Sequence, residues 1–420
     1  MKITLLGFIL AATSALAANV TQPAATAINA LGLDLLPRVG WTNDNGLIAP
    51  YSIQSALAMT YAGADGATRA EMMRVLHYPP DDVELNRSFL ALRRALFELA
   101  ARSAKRAEES RRYGMTNDPI TFNTANRLFG QTGFDFRAPF LAVLKDSFGA
   151  PLAPLDFRKN APGATRQING WVAERTHDRI RDLIPDGALN AMTRLVLVNA
   201  VYLKAPWLHE FDAGNTKPRP FHIGGGKGEN VPTMWNQEKY GYAKRDGFTA
   251  LVLPYSDPDL QLLILLPDAT NGLAALEKKL TPTLLAECAG LKSAEVILQL
   301  PRFKLEPPMI PLTPELQSLG MKSAFNQPPG SANFDRMAAE ANANGLAISD
   351  VFHKTFLALD EKGTEAAAAT AVAMALTGMQ PPKPKPIEVK VDRPFLFAIQ
   401  HRPSGACLFL GRLMDPRSDR

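Results

Sequence analysis

From Gly363 to Pro386 the chain is made mostly of small residues and then prolines, and it can bury little on its own. Gly363 to Ala375 reads GTEAAAATAVAMA, and PPKPKP follows at Pro381 to Pro386. Alanine-rich sequence ordinarily forms helix. This run, however, opens on Gly-Thr, contains Thr370 and Val372, and reaches prolines alternating with lysine, which favours an extended, solvated chain. Strand-like runs lie on both sides of it. A loop of that length inside a compact domain is functional or disordered, and the rest of the chain must build the core without it.

The rest reads as α+β. Ser52 to Met59 and Ala67 to Leu76 carry apolar residues at helical spacing, and Glu84 to Ser110 is a long amphipathic stretch. Thr193 to Leu203 (TRLVLVNAVYL) is nearly continuous β-branched and apolar sequence, the mark of a strand buried on both faces. A second strand is expected at Phe122 to Phe129, and after Trp207 sheet signals dominate. Ala250 to Pro254 and Leu260 to Leu266 predict a hairpin around Asp257-Pro258-Asp259. Further strands are expected at Glu295 to Leu300, Glu388 to Val391, Phe395 to His401 and Ala406 to Leu413. Helices early and strands late, with no repeat and no linker, predict one α+β domain.

The N-terminus adds a targeting expectation. Met1-Lys2 precedes an apolar run from Ile3 to Ala12, then TSALAA. That pattern predicts a signal peptide over 1–17, cut after Ala17 or Ala18, with 18–420 as the mature domain. The chain is therefore expected to be secreted or periplasmic. Later in the chain no run of eighteen uncharged apolar residues signals a membrane span. Net charge is +5, spread along the chain, so composition points to no specific nucleic acid. Cys288 and Cys407 are the only cysteines; they could pair or remain buried thiols.

The stretch Asp360-Glu361-Lys362-Gly363-Thr364-Glu365-Ala366-Ala367-Ala368-Ala369-Thr370 resembles the hinge of inhibitory serpins. Further blocks match that family in order: Ile53 to Gly66 with Thr68, Asn199 to Trp207, Val231-Pro232-Thr233-Met234, Phe352-His353-Lys354 and Arg393 to Phe397. The resemblance implies the serpin fold, helices around three β-sheets with an exposed reactive-centre loop over about 361–386. It also implies a suicide-substrate inhibitor of serine-type endopeptidases rather than an enzyme. The alternative is a non-inhibitory member acting as carrier, chaperone or structural protein. Bulky or charged hinge residues, common in such members, are absent here.

The hinge has its own physical logic. In a strand, alternate side chains face opposite sides, so Thr364, Ala366, Ala368 and Thr370 would share one face and Glu365, Ala367, Ala369 and Ala371 the other. The first face is small and uncharged, able to slide over a packed core. Glu365 is expected on the face that stays wet. An inserted strand of ~15 residues would span roughly 50 Å. Its ladder hydrogen bonds, at about 0.5–1.5 kcal/mol each, would add on the order of 10 kcal/mol. The uninserted chain would then be trapped kinetically.

Counting from Glu361 as the family does places the reactive bond at Thr377–Gly378, with Leu376, Met379 and Met374 as alternatives. Small or medium apolar residues there imply an elastase-, subtilisin- or chymotrypsin-like serine protease as partner, or a cysteine protease. No Arg or Lys lies between Gly363 and Gln380, which disfavours a trypsin-like target. Asn45, Ser52, Asn199 and His353 match the family's shutter, where hydrogen bonds hold the central strands together. Ala49 stands where members often have Ser, which removes one such bond. Trp207 resembles the breach tryptophan, and Glu361 and Arg302 match a pair at the head of the loop. The basic face at Arg93, Arg94, Arg102, Lys105, Arg106, Arg111 and Arg112 resembles the helix through which some serpins bind polyanions. The expectation is a monomer without membrane partner, cofactor or metal: the histidines lack metal-ligand spacing, and Gly224 to Gly228 lacks a phosphate loop's spacing.

Overall fold

The computed structural model describes residues 20–39, 44–115, 117–226, 228–338, 346–365 and 385–417. The chain opens with helix α1 (20–35) and strand β1 (Gly46–Ile48), then α2 (Pro50–Tyr61), α3 (Gly66–Val75) and α4 (Asp82–Arg112). Pro50 sits in the first turn of α2, where a missing N–H costs nothing. Every residue of α2 is buried, so it runs through the middle of the molecule and is not an amphipathic surface helix. In α4 the Asp81 carboxylate accepts the N–H groups of Val83 and Glu84, capping the helix. Leu85, Phe89, Leu92, Leu96 and Leu99 then face the core at helical spacing.

Next come β2 (Thr121–Gln131), α5 (Ala138–Asp146), β3 (Ala153–Leu155), α6 (Phe157–Arg175) and β4 (Leu195–Pro206). A sheet-rich stretch follows: β5 (Lys217–His222), β6 (Gly228–Arg245), β7 (Phe248–Pro254), β8 (Leu260–Pro267), the short helices α7 (Leu273–Glu277) and α8 (Pro282–Cys288), and β9 (Ser293–Pro301). The remainder holds β10 (Phe303–Leu305), β11 (Ile310–Pro311), α9 (Thr313–Ser318), β12 (Val351–Thr355), β13 (Leu357–Asp360), β14 (Gly363–Thr364), β15 (Ile387–Lys390), β16 (Phe395–His401) and β17 (Ala406–Leu413). Every strand expected from the sequence is present. Helix α6 was not foreseen, because Pro162 and the non-helical backbone at Asn160 break its pattern.

The strands form two hydrogen-bonded networks. One runs β1-β17-β16-β8-β7-β6-β9-β15, with β5 added on β6. The 18-residue strand β6 is shared: it pairs with β5 and β9 over its first part and with β7 at its end, so two of the expected three sheets merge into one ladder. The other network runs β10-β13-β14-β4-β12-β11, with β2 paired to β4 and to β3.

Strand β4 is buried on both faces, as its sequence predicts. Leu195, Leu197, Val201, Leu203 and Ala205 enter the main core, which also holds α2 residues. Val196, Val198 and Ala200 enter a smaller core with Phe157, Ile168 and Val172 of α6. The period-two alternation of a strand thus divides one apolar run between two cores.

Candidate functional site

Strands β12 and β13 follow one another with only Phe356 between them, yet they meet β4 differently. Along β12, five residues pair directly and in parallel with β4, His353 opposite Asn199. Beside β13, the two residues of β14 are wedged between, Gly363 opposite Pro206 and Thr364 opposite Ala205 on β4. Across the other edge, Thr364 lies opposite Leu359 of β13. The sheet is therefore closed at one end and split two residues deep at the other.

Gly363 is required at that wedge. Its φ is +149°, and an added Cβ would lie 2.1 Å from the Ala205 carbonyl oxygen. Thr364 is fully buried, and its Oγ1 shares a hydrogen bond of 2.7 Å with the Tyr255 hydroxyl. Burial pushes the Tyr255 phenol well up, so it stays neutral. Trp207 stacks on Tyr255 at 4.6 Å and 8°. The Trp207 indole N–H donates to the Asp360 carbonyl at 2.9 Å, and its backbone N–H to that of Lys362 at 2.8 Å. Glu361 is held at the head of the segment by the Thr216 hydroxyl at 2.7 Å, with Arg302 at 3.6 Å. The Phe211 N–H also donates to the Glu361 carbonyl.

Glu365 is where the chain leaves the sheet, at φ +50°. Its carboxylate pairs with Arg179, and its side chain is only 10% exposed. That corrects the expectation of a wet face. The face opposite Thr364 carries the smaller core, with Phe356 and Ala358, and the Arg179 guanidinium lies over the Phe356 ring. Burial pushes the Glu365 carboxyl up, and Arg179 opposes this.

At the closed end, Ala49 N–H donates to His353 Nε2 at 3.1 Å. Nε2 must then be the unprotonated nitrogen, so Nδ1–H donates to Asn199 Oδ1 at 2.6 Å. This bond is made by the backbone of Ala49, so it does not depend on the side chain at that position. Burial holds the imidazole down at about 3. Asn199 Nδ2 is buried without a partner among the described residues. Ser52 donates to Asn126 Oδ1 at 2.7 Å, which ties α2 to β2, and Thr355 donates to the Leu47 carbonyl at 3.2 Å. Asn45 is not in this group. Its amide bonds the Asp415 carbonyl and the N–H groups of Met414 and Asp415, at the far end of β17.

Tyr255, Arg179, Asn126 and Thr216 were not singled out from the sequence; of these only Asn126, polar amid a strand run, carried a local signal. Ala366, Ala367, Ala368, Ala369 and Thr370 lie outside the described residues, as do Met374, Leu376, Thr377, Gly378, Met379 and the segment 1–17.

The basic face of α4 is largely neutralised. Arg102 and Arg106 both pair with Asp257, which is fully buried, and Arg102 also pairs with Asp259 at 2.6 Å. Lys105 and Arg112 pair along the helix with Glu109 and Glu108. Arg93 donates to the Ser147 carbonyl at 3.2 Å. Gly224 to Gly226 lies in the connection between β5 and β6. Cys288 and Cys407 are free, buried thiols, pushed up by burial to about 11 and about 12. Among the described residues no group of side chains could hold a metal, and no helix is long and apolar enough to cross a membrane.

The comparisons with known proteins agree with this geometry. The structure of uncleaved ovalbumin superposes with a TM-score of 0.76 at 26% identity, covering 93% of this chain and 99% of that one. Arabidopsis AtSerpin1 in its native stressed conformation gives 0.76 at 26% identity, over 95% and 98% of the two chains. The leukocyte elastase inhibitor of Bos taurus is 38% identical over 381 residues, 89% of this chain and 93% of that protein. An uncharacterized serpin-like protein of Thermococcus kodakarensis is 36% identical over 398 residues, 94% of this chain and 86% of that protein. The family described as serpin (serine protease inhibitor) matches residues 26–416. With a split sheet, a small-residue segment entering it and this match over most of its length, the chain belongs to the serpin family.

Proposed function

We propose that the chain is a suicide-substrate inhibitor of serine-type endopeptidases. The observation that carries this is the two-residue wedge of Gly363 and Thr364 between β13 and β4, above a seam where β12 and β4 pair directly. Continuing the two ladders residue by residue brings Ala366 opposite Leu203, Ala368 opposite Val201 and Thr370 between Asn199 and His353. All three share the buried face of Thr364. That face needs small uncharged side chains, and Ala366, Ala368 and Thr370 supply them. Thr370 would also bring a hydroxyl to Asn199 Nδ2, the buried amide that lacks a partner.

In this mechanism the protease attacks the loop, at Thr377–Gly378 or at a neighbouring bond, and its nucleophile becomes acylated. The scissile amide breaks, the new amino terminus leaves, and the acyl end stays on the protease. The freed segment then enters the seam from Thr364 downward. Five β12–β4 pairs part as it does so, each replaced by ladder bonds on both of its edges. The bound protease is carried to the far end and its active site is distorted before water can deacylate it. This chain supplies bait and spring and no catalytic group. The N-terminal pattern supports export by a signal peptide, and the apolar bait supports an elastase-, subtilisin- or chymotrypsin-like target. The pairs on α4 leave only Arg94 and Arg111 of its basic set unengaged among the described residues, so a polyanion site finds little support there.

The test is to mix the purified protein with elastase, subtilisin, chymotrypsin and trypsin and run denaturing gels. A covalent complex is expected with one of the first three, and sequencing the released peptide locates the cut. Loop cleavage by every protease with no complex and no gain in thermal stability would leave the carrier, chaperone or structural reading instead.

A further inference from the structure

The turn between β7 and β8, Tyr255 to Asp259, makes contacts on two sides. On one side it meets the wedge. The Tyr255 hydroxyl shares its 2.7 Å bond with Thr364 Oγ1, its ring stacks on Trp207, and the Ser256 N–H donates to the Pro206 carbonyl at 2.8 Å. On the other side it meets α4, through the fully buried Asp257.

The turn itself does not need that charge. The Leu260 N–H donates to the Asp257 carbonyl at 3.0 Å, Pro258 sets the backbone between them, and Asp257 Oδ1 accepts the Asp259 N–H at 3.0 Å. An asparagine would close the chain in the same way. A buried carboxylate, by contrast, is costly unless it is paired. Its partners both stand on α4, one helical turn apart. Arg102 donates from Nη2 to Oδ1 at 3.2 Å and from Nε to Oδ2 at 3.4 Å, and Arg106 Nη2 bonds Oδ2 as well. Arg102 also reaches the Asp259 carboxylate at 2.6 Å, and Arg106 Nη1 the Ser256 carbonyl at 3.4 Å. Ser256, Asp257 and Asp259 are thus all fastened to the same two side chains.

We infer that Asp257 is a positioning residue for the hinge. By fastening the turn to Arg102 and Arg106 it fixes where Tyr255, two residues earlier, offers its hydroxyl to Thr364. A hydrogen bond weakens steeply once distance and angle leave their narrow range, so a turn that drifts releases Thr364. Asp257 therefore sets how firmly the wedge is held before any cut is made. The holding role concerns the uncleaved chain alone; its bearing on inhibition rests on the function proposed above.

Amide hydrogen exchange of the full, uncleaved chain, read by mass spectrometry, tests this without a protease. Two amides bridge the wedge: Trp207 N–H donates to the Lys362 carbonyl at 2.8 Å and Glu365 N–H to the Ala358 carbonyl at 2.9 Å. Asp257→Asn keeps the acceptor of the turn, and the released arginines, already 46% and 48% exposed, can turn to water, so it should fold normally. Exchange at the two wedge amides should quicken about tenfold or more, while β16 and β17 stay within about twofold of wild type. Arg106→Gln should give a smaller rise at the same two amides, and Arg106→Lys, which restores the charge, a smaller one still. In a Tyr255→Phe background, which lacks the hydroxyl, Asp257→Asn should add little. The inference is overturned if Asp257→Asn leaves the wedge amides at the wild-type rate, if β16 and β17 quicken equally, or if the effect persists undiminished in Tyr255→Phe. None of these outcomes bears on the inhibitor reading, which fails separately if no protease forms a covalent complex.

Discussion

His353 Nδ1 lies 2.6 Å from Asn199 Oδ1, and this bond crosses the seam between β12 and β4 at the one paired position where both residues are polar. It holds only while the imidazole is neutral, because Nε2 must accept the Ala49 N–H. Protonation would set two donors against each other. In the folded protein burial keeps the imidazole down at about 3, whereas an unfolded histidine titrates near 6.5. As pH falls below 6.5 the unfolded state takes up a proton that the fold refuses. This contribution to stability is complete above 6.5 and is lost toward 3, at up to about 1.4 kcal/mol per pH unit. Denaturant unfolding of the uncleaved protein from pH 7.5 to 5 should show that slope, and His353→Gln should lack that component. Equal slopes in the two proteins would rule out His353 as its source.

A second expectation concerns Glu365 and Arg179. The carboxylate is 10% exposed and the guanidinium 51%, so the pair is worth less than a fully buried one but more than a surface one. Arg179→Ala leaves a nearly buried charge without its partner and should destabilise the uncleaved protein by about 1–2 kcal/mol. In a Glu365→Gln background the same change should cost little. A double-mutant cycle by denaturant unfolding measures this, and additive losses would mean that the pair contributes nothing to holding the wedge.

The frame was legible wherever a local period governs it. The nearly continuous apolar run of β4 and the heptad-like spacing of α4 needed no partner to be read. The small-residue pattern of the hinge was legible as a pattern, a local property, though of its alternating residues only Thr364 is described in the sheet. What holds the hinge was not. Tyr255 and Thr364 are 109 residues apart, and Arg179 and Glu365 are 186 apart, so nothing near either residue announces the other. Glu365 was placed on a wet face because a strand's two sides look alike in sequence; only the packing of α6 makes both of them cores. Asn45 shows the converse, a polar residue that matches a motif while its bonds go to the end of β17.

Thr364 is the position at which a single charge should turn the proposed inhibitor into a substrate. It is fully buried, opposite Ala205 and Leu359, with its hydroxyl on Tyr255. Thr364→Arg forces a guanidinium into that face at a cost of several kcal/mol. Because Thr364 lies in the sheet before cleavage, the charge should first drive the wedge out of it; re-entry after cleavage then carries that cost, about tenfold in rate per 1.4 kcal/mol, so deacylation should win the race. Gels should show cleaved protein and free protease in place of complexes. Complex formation at the wild-type level would refute insertion along this face.

Thr370→Val tests the register itself. The pairs Thr364↔Ala205 and Thr364↔Leu359 advance in step, so the inserted strand sets residue 370 between Asn199 and His353 on the buried face. Valine has the shape of threonine without its hydroxyl. Before cleavage the seam is closed by the Asn199–His353 bond, so uncleaved wild type and variant are expected to be equally stable. If the strand inserts after cleavage as proposed, His353 and Asn199 come to lie on either side of it, and their direct bond must give way. The valine form then leaves buried donors unsatisfied, at about 1–3 kcal/mol. Denaturant unfolding of loop-cleaved wild type and variant should differ by that amount while the uncleaved proteins coincide. A cleaved variant as stable as cleaved wild type would mean that the strand enters in another register, or not at all.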